Sequence, residues 1–154
     1  GVVRETNGIV AYHAGEWKEA LSELRAARRM SGGPGLLAVM ADAERGLGRP
    51  EKALELGRTP EARQLEPEDR VELAIVLAGA RHDLGQHDSA LATLSRLDPT
   101  LHPETFSELR LAYAYADALL SVQRENEAKE WFAAVAKADE DGITDADERV
   151  REMS

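Results

Sequence analysis

Apolar side chains return along this chain at the spacing of three to four residues that marks one face of an α-helix, in short blocks broken by glycine and proline. Trp17, Ala20, Leu21, Leu24 and Ala27 form one such stripe and predict a helix over 16–30, preceded by another over 4–14 that carries Gly8 inside it. Leu37, Met40 and Ala41 predict a helix over 36–46, and Pro50 suits the first turn of a short one ending at Gly57. A connector from Thr59-Pro60 to Glu66-Pro67 follows, with room for one helical turn at 62–65. Leu73, Val76, Leu77 and Ala80 mark the buried face of a helix over 67–84. Further helices are expected over 88–97, from Pro103 as first helical residue to 122, and over 125–138. A last one is expected over 146–153, capped by Thr144 or Asp145 with Asp147 or Glu148 in a capping box.

One block recurs. Gly15-Glu16-Trp17-Lys18-Glu19-Ala20-Leu21-Ser22-Glu23-Leu24 returns as Gly48-Arg49-Pro50-Glu51-Lys52-Ala53-Leu54 and as Gly85-Gln86-His87-Asp88-Ser89-Ala90-Leu91-Ala92-Thr93-Leu94. A worn copy, Gln123-Arg124-Glu125-Asn126-Glu127-Ala128-Lys129-Glu130-Trp131-Phe132, has lost the glycine. The alanines at 20, 53, 90 and 128 are spaced by 53 − 20 = 33, 90 − 53 = 37 and 128 − 90 = 38 residues. Each position has a mechanical reading. The glycine stands just past a first helix, where a left-handed cap is needed. The alanine lets two helices approach closely. The large apolar residue four later (Leu24, Leu94, Phe132) lies one turn on along the same face, a place that Gly57 leaves empty in the second copy.

With these residues in view, the chain resembles a tetratricopeptide repeat protein over most of its length. Gly8, Gly15, Trp17, Ala20, Leu24 and Ala27 carry the resemblance in the first copy, and Gly85, Ala90, Leu91 and Leu94 in the third; Ala128 and Phe132 remain in the fourth. The resemblance implies an all-α fold: a right-handed α-solenoid of about four helical hairpins, over 1–31, 34–60, 67–98 and 103–139, closed by a capping helix over 145–153. One domain over 1–154 is expected. The terminal helix would cover the exposed end of the array.

Charge and composition narrow the function classes. The net charge of −10 disfavours nucleic acid and anionic membrane surfaces, both of which are bound through cations. Cysteine is absent, which removes disulfides, thiol catalysis and thiolate zinc sites. No apolar run approaches a membrane span, and a cytoplasmic location is the default expectation.

Asp139, Asp141, Gly142 and Glu148 partly overlay a calcium loop, but Lys137 occupies the first ligand place, so a helix-capping turn is the better reading. His82 and His87 are five residues apart with a helix break between them, which does not make a metal pair. Ser31-Gly32-Gly33-Pro34-Gly35 lacks the Lys-Ser/Thr of a phosphate loop. Arg25, Arg28 and Arg29 read as a solvated helix end rather than an anion site. The expectation is a protein without enzymatic activity, cofactor or metal.

The resemblance also implies where a partner would sit, since first helices of each pair line the concave groove in that family. Helical periodicity nominates Glu5, Ile9 and Tyr12, then Ala38, Asp42 and Arg45, then Glu72, Ile75, Gly79 and His82, then Arg110, Tyr113 and Asp117. Tyr113 is the strongest single candidate as an interface anchor, with core packing as its alternative; Tyr115 points to another face. Asp42, Glu72 and Asp117 favour a basic or mixed peptide over a C-terminal carboxylate. Replacing Tyr113 by Ala together with Asp117 by Lys is expected to weaken partner capture with little loss of melting temperature. The competing expectation is a structural or self-associating module, including a homodimer, within a larger chain.

Overall fold

The computed structural model describes Lys18, Leu21, Ser22 and residues 36–154. Within them regular structure is helical throughout: α1 (Leu37–Gly46), α2 (Pro50–Gly57), a 3-10 turn (Pro60–Gln64), α3 (Pro67–Asp83), α4 (His87–Ser95), α5 (Phe106–Ser121), α6 (Glu125–Ala138) and α7 (Ala146–Glu152). The helix expected over 4–14 lies outside the described residues, as do Trp17, Ala20, Leu24 and Ala27. Two units divide the chain, Gly1–Leu84 and Gly85–Ser154, and the repeat expected over 67–98 spans that division.

In the first unit α1 packs on both α2 and α3, and α2 packs on α3. Leu37, Ala41, Ala53, Leu54, Leu65, Leu73 and Ala80 form their common core, and Leu21 joins Met40 and Ala43 in a second cluster. Proline stands in the first turn of both α2 and α3, where its missing N–H costs no helical hydrogen bond. Of the face predicted for α3, Leu73 and Ala80 are buried, while Val76 and Leu77 are partly covered. Ala74 and Ala78 are buried as well, because small side chains let a second flank of the helix close up.

The gap left by Gly57 is filled from elsewhere. A Cβ built there would stand 2.5 Å from Cδ1 of Leu77. Where the repeat pattern calls for a large residue on the second helix, this pair receives one from α3. Leu94 and Phe132, at the matching places, are buried, and so are the marker alanines Ala53, Ala90 and Ala128.

The left-handed cap persists after the glycine is gone. Gly48 and Gly85 have φ of 76° and 73°, and Gln123 has 65°. After α1, the Gly48 and Arg49 amides donate to the carbonyls of Arg45 and Glu44 at 2.9 and 2.8 Å. After α5, the Gln123 and Arg124 amides donate to those of Leu120 and Leu119, both at 3.0 Å. These are the paired bonds of a Schellman cap. Gln123 makes them in a conformation that favours glycine. The Arg49 guanidinium also lies 3.7 Å from the buried carboxylate of Glu44, so an ion pair stands where such caps more often place an apolar contact.

In the second unit α4 packs on α5, α5 on α6, and α6 on α7. Leu109, Ala112, Ala116, Leu119, Ala128, Phe132, Val135 and Ala146 form its core. The expected start of α5 at Pro103 is corrected to Phe106. Thr105 Oγ1 accepts from the Glu108 amide, and the Glu108 carboxylate accepts from the Thr105 amide, each at 3.1 Å. This capping box fixes the helix start three residues downstream of the proline.

Candidate functional site

The nominated face of the first unit is assembled around Arg45. Its guanidinium is held by Asp83 through Nε at 2.7 Å and Nη2 at 3.1 Å, and by Asp42 through Nη1 at 3.1 Å. The Asp83 hydrogen bond holds the Arg45 pKa above its ordinary value. Such two-point pairing fixes the guanidinium plane as well as its position. The plane lies against the backbone of α3 at Gly79, where a Cβ would come within 2.5 Å of Nη1. Glycine at 79 is therefore what lets the cation lie across α3. Glu72, Ile75 and His82 follow the same helical face as Gly79, each half-buried. Beside them Asp42, Arg45, Gly46, Gly48, Pro50, Glu51 and Asp83 line an open cleft of about 560 Å³. Periodicity missed Asp83. Its separation from Arg45, 38 residues, is close to one repeat and was the available signal.

In the second unit two of the nominated residues, Tyr113 and Asp117, meet α7. Arg149 of α7 donates from Nη1 to Tyr113 Oη at 3.1 Å and from Nη2 to Asp117 Oδ1 at 3.0 Å. The Tyr113 hydroxyl donates to Asp145. The Tyr113 ring meets the fully buried Phe132 ring edge-on at 5.4 Å, and the Arg149 guanidinium lies 4.5 Å from the centroid of the Phe132 ring. Burial, and next the Asp145 hydrogen bond, push the Tyr113 pKa up to about 12. The alternative reading of Tyr113, core packing, is what its ring shows, since it packs on the core cluster, and its hydroxyl joins a polar network within the chain. Tyr113→Ala with Asp117→Lys would remove these contacts and the Arg149–Asp117 pair, so the structure leads to an expected fall in melting temperature for that double substitution. Tyr115 packs edge-on against Trp131 at 4.8 Å, and Arg110 stands 5.9 Å from the Phe106 ring. Tyr12, Glu5 and Ile9 lie outside the described residues.

The two constellations share a register. Asp42, Gly79 and Asp117 each stand six residues ahead of a left-handed cap, by 48 − 42, 85 − 79 and 123 − 117. In one unit an arginine of α1 reaches forward to α3; in the other an arginine of α7 reaches back to α5.

The acidic loop at 139–142 works as a brace. The Asp139 carboxylate accepts from the Ile143 amide at 2.8 Å and from the amide and hydroxyl of Thr144, each at 2.7 Å. The Thr144 hydrogen bonds, followed by the other loop amides, hold its pKa below the usual carboxylate range. Of the two expected caps of α7, Thr144 serves: its hydroxyl oxygen accepts from the Ala146 amide at 3.2 Å, while Asp145 makes no side-chain cap hydrogen bond and is turned to Tyr113 instead. Among the described residues, no group of three or more His, Cys, Asp or Glu is placed to hold a metal ion. No described helix is long and apolar enough to cross a membrane. No protein-family model matches the chain, and no curated protein matches it either.

Proposed function

We propose that the chain is a non-enzymatic helical-repeat module of the tetratricopeptide kind, a right-handed α-solenoid that binds a protein or peptide along its first helices. The observation that carries this reading is the half-buried face of α1 and α3, where Arg45 is laid over Gly79 between Asp42 and Asp83. Such a face offers acceptors fixed in advance, which lowers the ordering cost of binding. Recurrence of the left-handed cap at Gly48, Gly85 and Gln123, with buried alanines five residues on, supports the repeat assignment. With Asp42, Glu72 and Asp83 along this face, a partner segment carrying lysine or arginine fits best.

The test is capture of a partner from the source cell on the immobilised chain, followed by peptide mapping. Asp42→Lys with Glu72→Lys is expected to abolish recovery of the captured segment. Lys52→Glu, on an exposed position of α2, is expected to leave it unchanged. Equal recovery with all three proteins overturns the assignment.

A second reading has its own observation. The Tyr113–Asp117 face is engaged by Arg149 of the same chain, which favours a structural module whose last pair is closed by its own tail.

A further inference from the structure

Phe106 and Ile143 are the exposed large hydrophobic residues among those described, at 58% and 60% of their full surface. They line one notch. Pro103, Thr105, Phe106 and Leu109 form one wall of it, and Ala138 and Ile143 the other, enclosing about 210 Å³. The acidic residues Glu104, Asp139, Glu140 and Asp141 line the same notch.

Both walls are braced. The Glu108 carboxylate accepts from the Glu104 and Thr105 amides at 3.1 Å each, fixing the chain that carries Phe106. The Asp139 carboxylate holds the Ile143 amide at 2.8 Å, fixing the loop that carries Ile143. Two apolar side chains are therefore held out to water by polar bonds beneath them. Glu108 and Asp139 are occupied in this way, whereas Glu104, Glu140 and Asp141 present exposed carboxylates around the apolar floor.

We infer that this notch is a docking site for a short peptide segment that inserts one apolar side chain between Phe106 and Ile143 and sets lysine or arginine against Glu104, Glu140 and Asp141. The volume admits one or two side chains rather than a helix, so the occupant is an extended segment or a loop tip. Charge complementarity selects its sign. A second copy of this chain is disfavoured by the same term, because each copy carries a net charge of −10 and the rim would meet a like-charged surface. The site lies at the start of α5, about two turns from Tyr113, and does not depend on the face proposed above.

The test is amide chemical-shift mapping of the full chain with synthetic probes. These are a short peptide of alternating arginine and leucine, one of alternating glutamate and leucine, and one of alternating arginine and glycine. The arginine–leucine peptide is expected to shift amides over 104–109 and 138–143 saturably. The other two are expected to bind at least about tenfold more weakly. Phe106→Ser with Ile143→Ser is expected to weaken the first peptide by a similar factor. Glu140→Lys with Asp141→Lys, at exposed positions, is expected to do the same and serves if the first pair fails to fold. Shifts elsewhere, no saturable shifts, or equal binding of the glutamate–leucine peptide overturns the inference. So does movement of these amides with the chain's own concentration alone, which identifies the occupant as a second copy.

Discussion

Arg149 in the last helix donates to Asp117, 32 residues earlier, at 3.0 Å, while its guanidinium covers the ring of Phe132. One side chain therefore joins α7 to both α5 and α6. The same cation also donates to Tyr113 Oη, so the closing helix is tied down by a polar network over an aromatic floor.

Removing that side chain should loosen α7 before anything else. Arg149→Ala is expected to cost about 1–2 kcal/mol, since the ion pair is partly solvated and the ring contact adds a comparable amount. Arg149→Lys should not restore it, because an ammonium cannot make the forked contact. Denaturant unfolding gives the loss, and amide exchange should show faster opening over 146–152. Unchanged exchange there would contradict the role given to Arg149.

Gly57 should resist repair toward the repeat pattern. Gly57→Leu restores the large residue found at Leu94 and Phe132, yet Leu77 already fills that space. The substitution is expected to destabilise by about 1–3 kcal/mol through overpacking. Gly57→Leu combined with Leu77→Ala should recover part of the loss, which a double-mutant cycle in urea would measure.

Gln123 should respond in the opposite sense. It holds a φ of 65° that a side chain disfavours, so Gln123→Gly is expected to raise stability by about 1 kcal/mol. Gly48→Ala, at the matching cap with φ 76°, should lower it by a similar amount. Thermal melts of the two variants should shift in opposite directions.

Acid should undo the two braces. Hydrogen bonds from the Glu104 and Thr105 amides hold the Glu108 pKa below the usual carboxylate range, as those from Thr144 do for Asp139. A depressed folded-state pKa contributes stability above the unfolded value, and that contribution is lost as pH falls through the folded one. Melting temperature should therefore drop below about pH 4, the ordinary carboxylate value. Asp139→Asn should show a shallower drop. Tyr113 runs the other way: its raised pKa favours folding below about pH 10, the ordinary phenol value, and that share fades as pH climbs toward about 12. Ultraviolet titration of Tyr113→Phe against the parent chain isolates it.

Much of the helical layout was legible in spacing alone, because period and cap residues carry it: α6 spans Glu125–Ala138 as expected, and α2 starts at Pro50. Pro103 is a good first helical residue, while Thr105 and Glu108 make a stronger signal for a start at Phe106, three residues further on. Periodicity placed Asp42, Arg45 and Gly79 on one face but could not pair Arg45 with Asp83, a contact made between helices rather than along one. Nor could it show that Asp117 is met by Arg149, since a salt bridge across 32 residues leaves no periodic trace. Phe106 and Ile143 went unnoticed because isolated apolar residues at helix and loop ends look alike whether buried or exposed.

The proposed use of the α1–α3 face is tested most directly by site-specific photocrosslinking to the captured partner. A benzophenone amino acid is placed in turn at position 42 of α1, at 75 of α3, and at 52 and 55, both exposed on α2. Covalent adducts from 42 and 75 with little from 52 and 55 are predicted. Adducts of equal yield from α2, or none from 42 and 75, would contradict it.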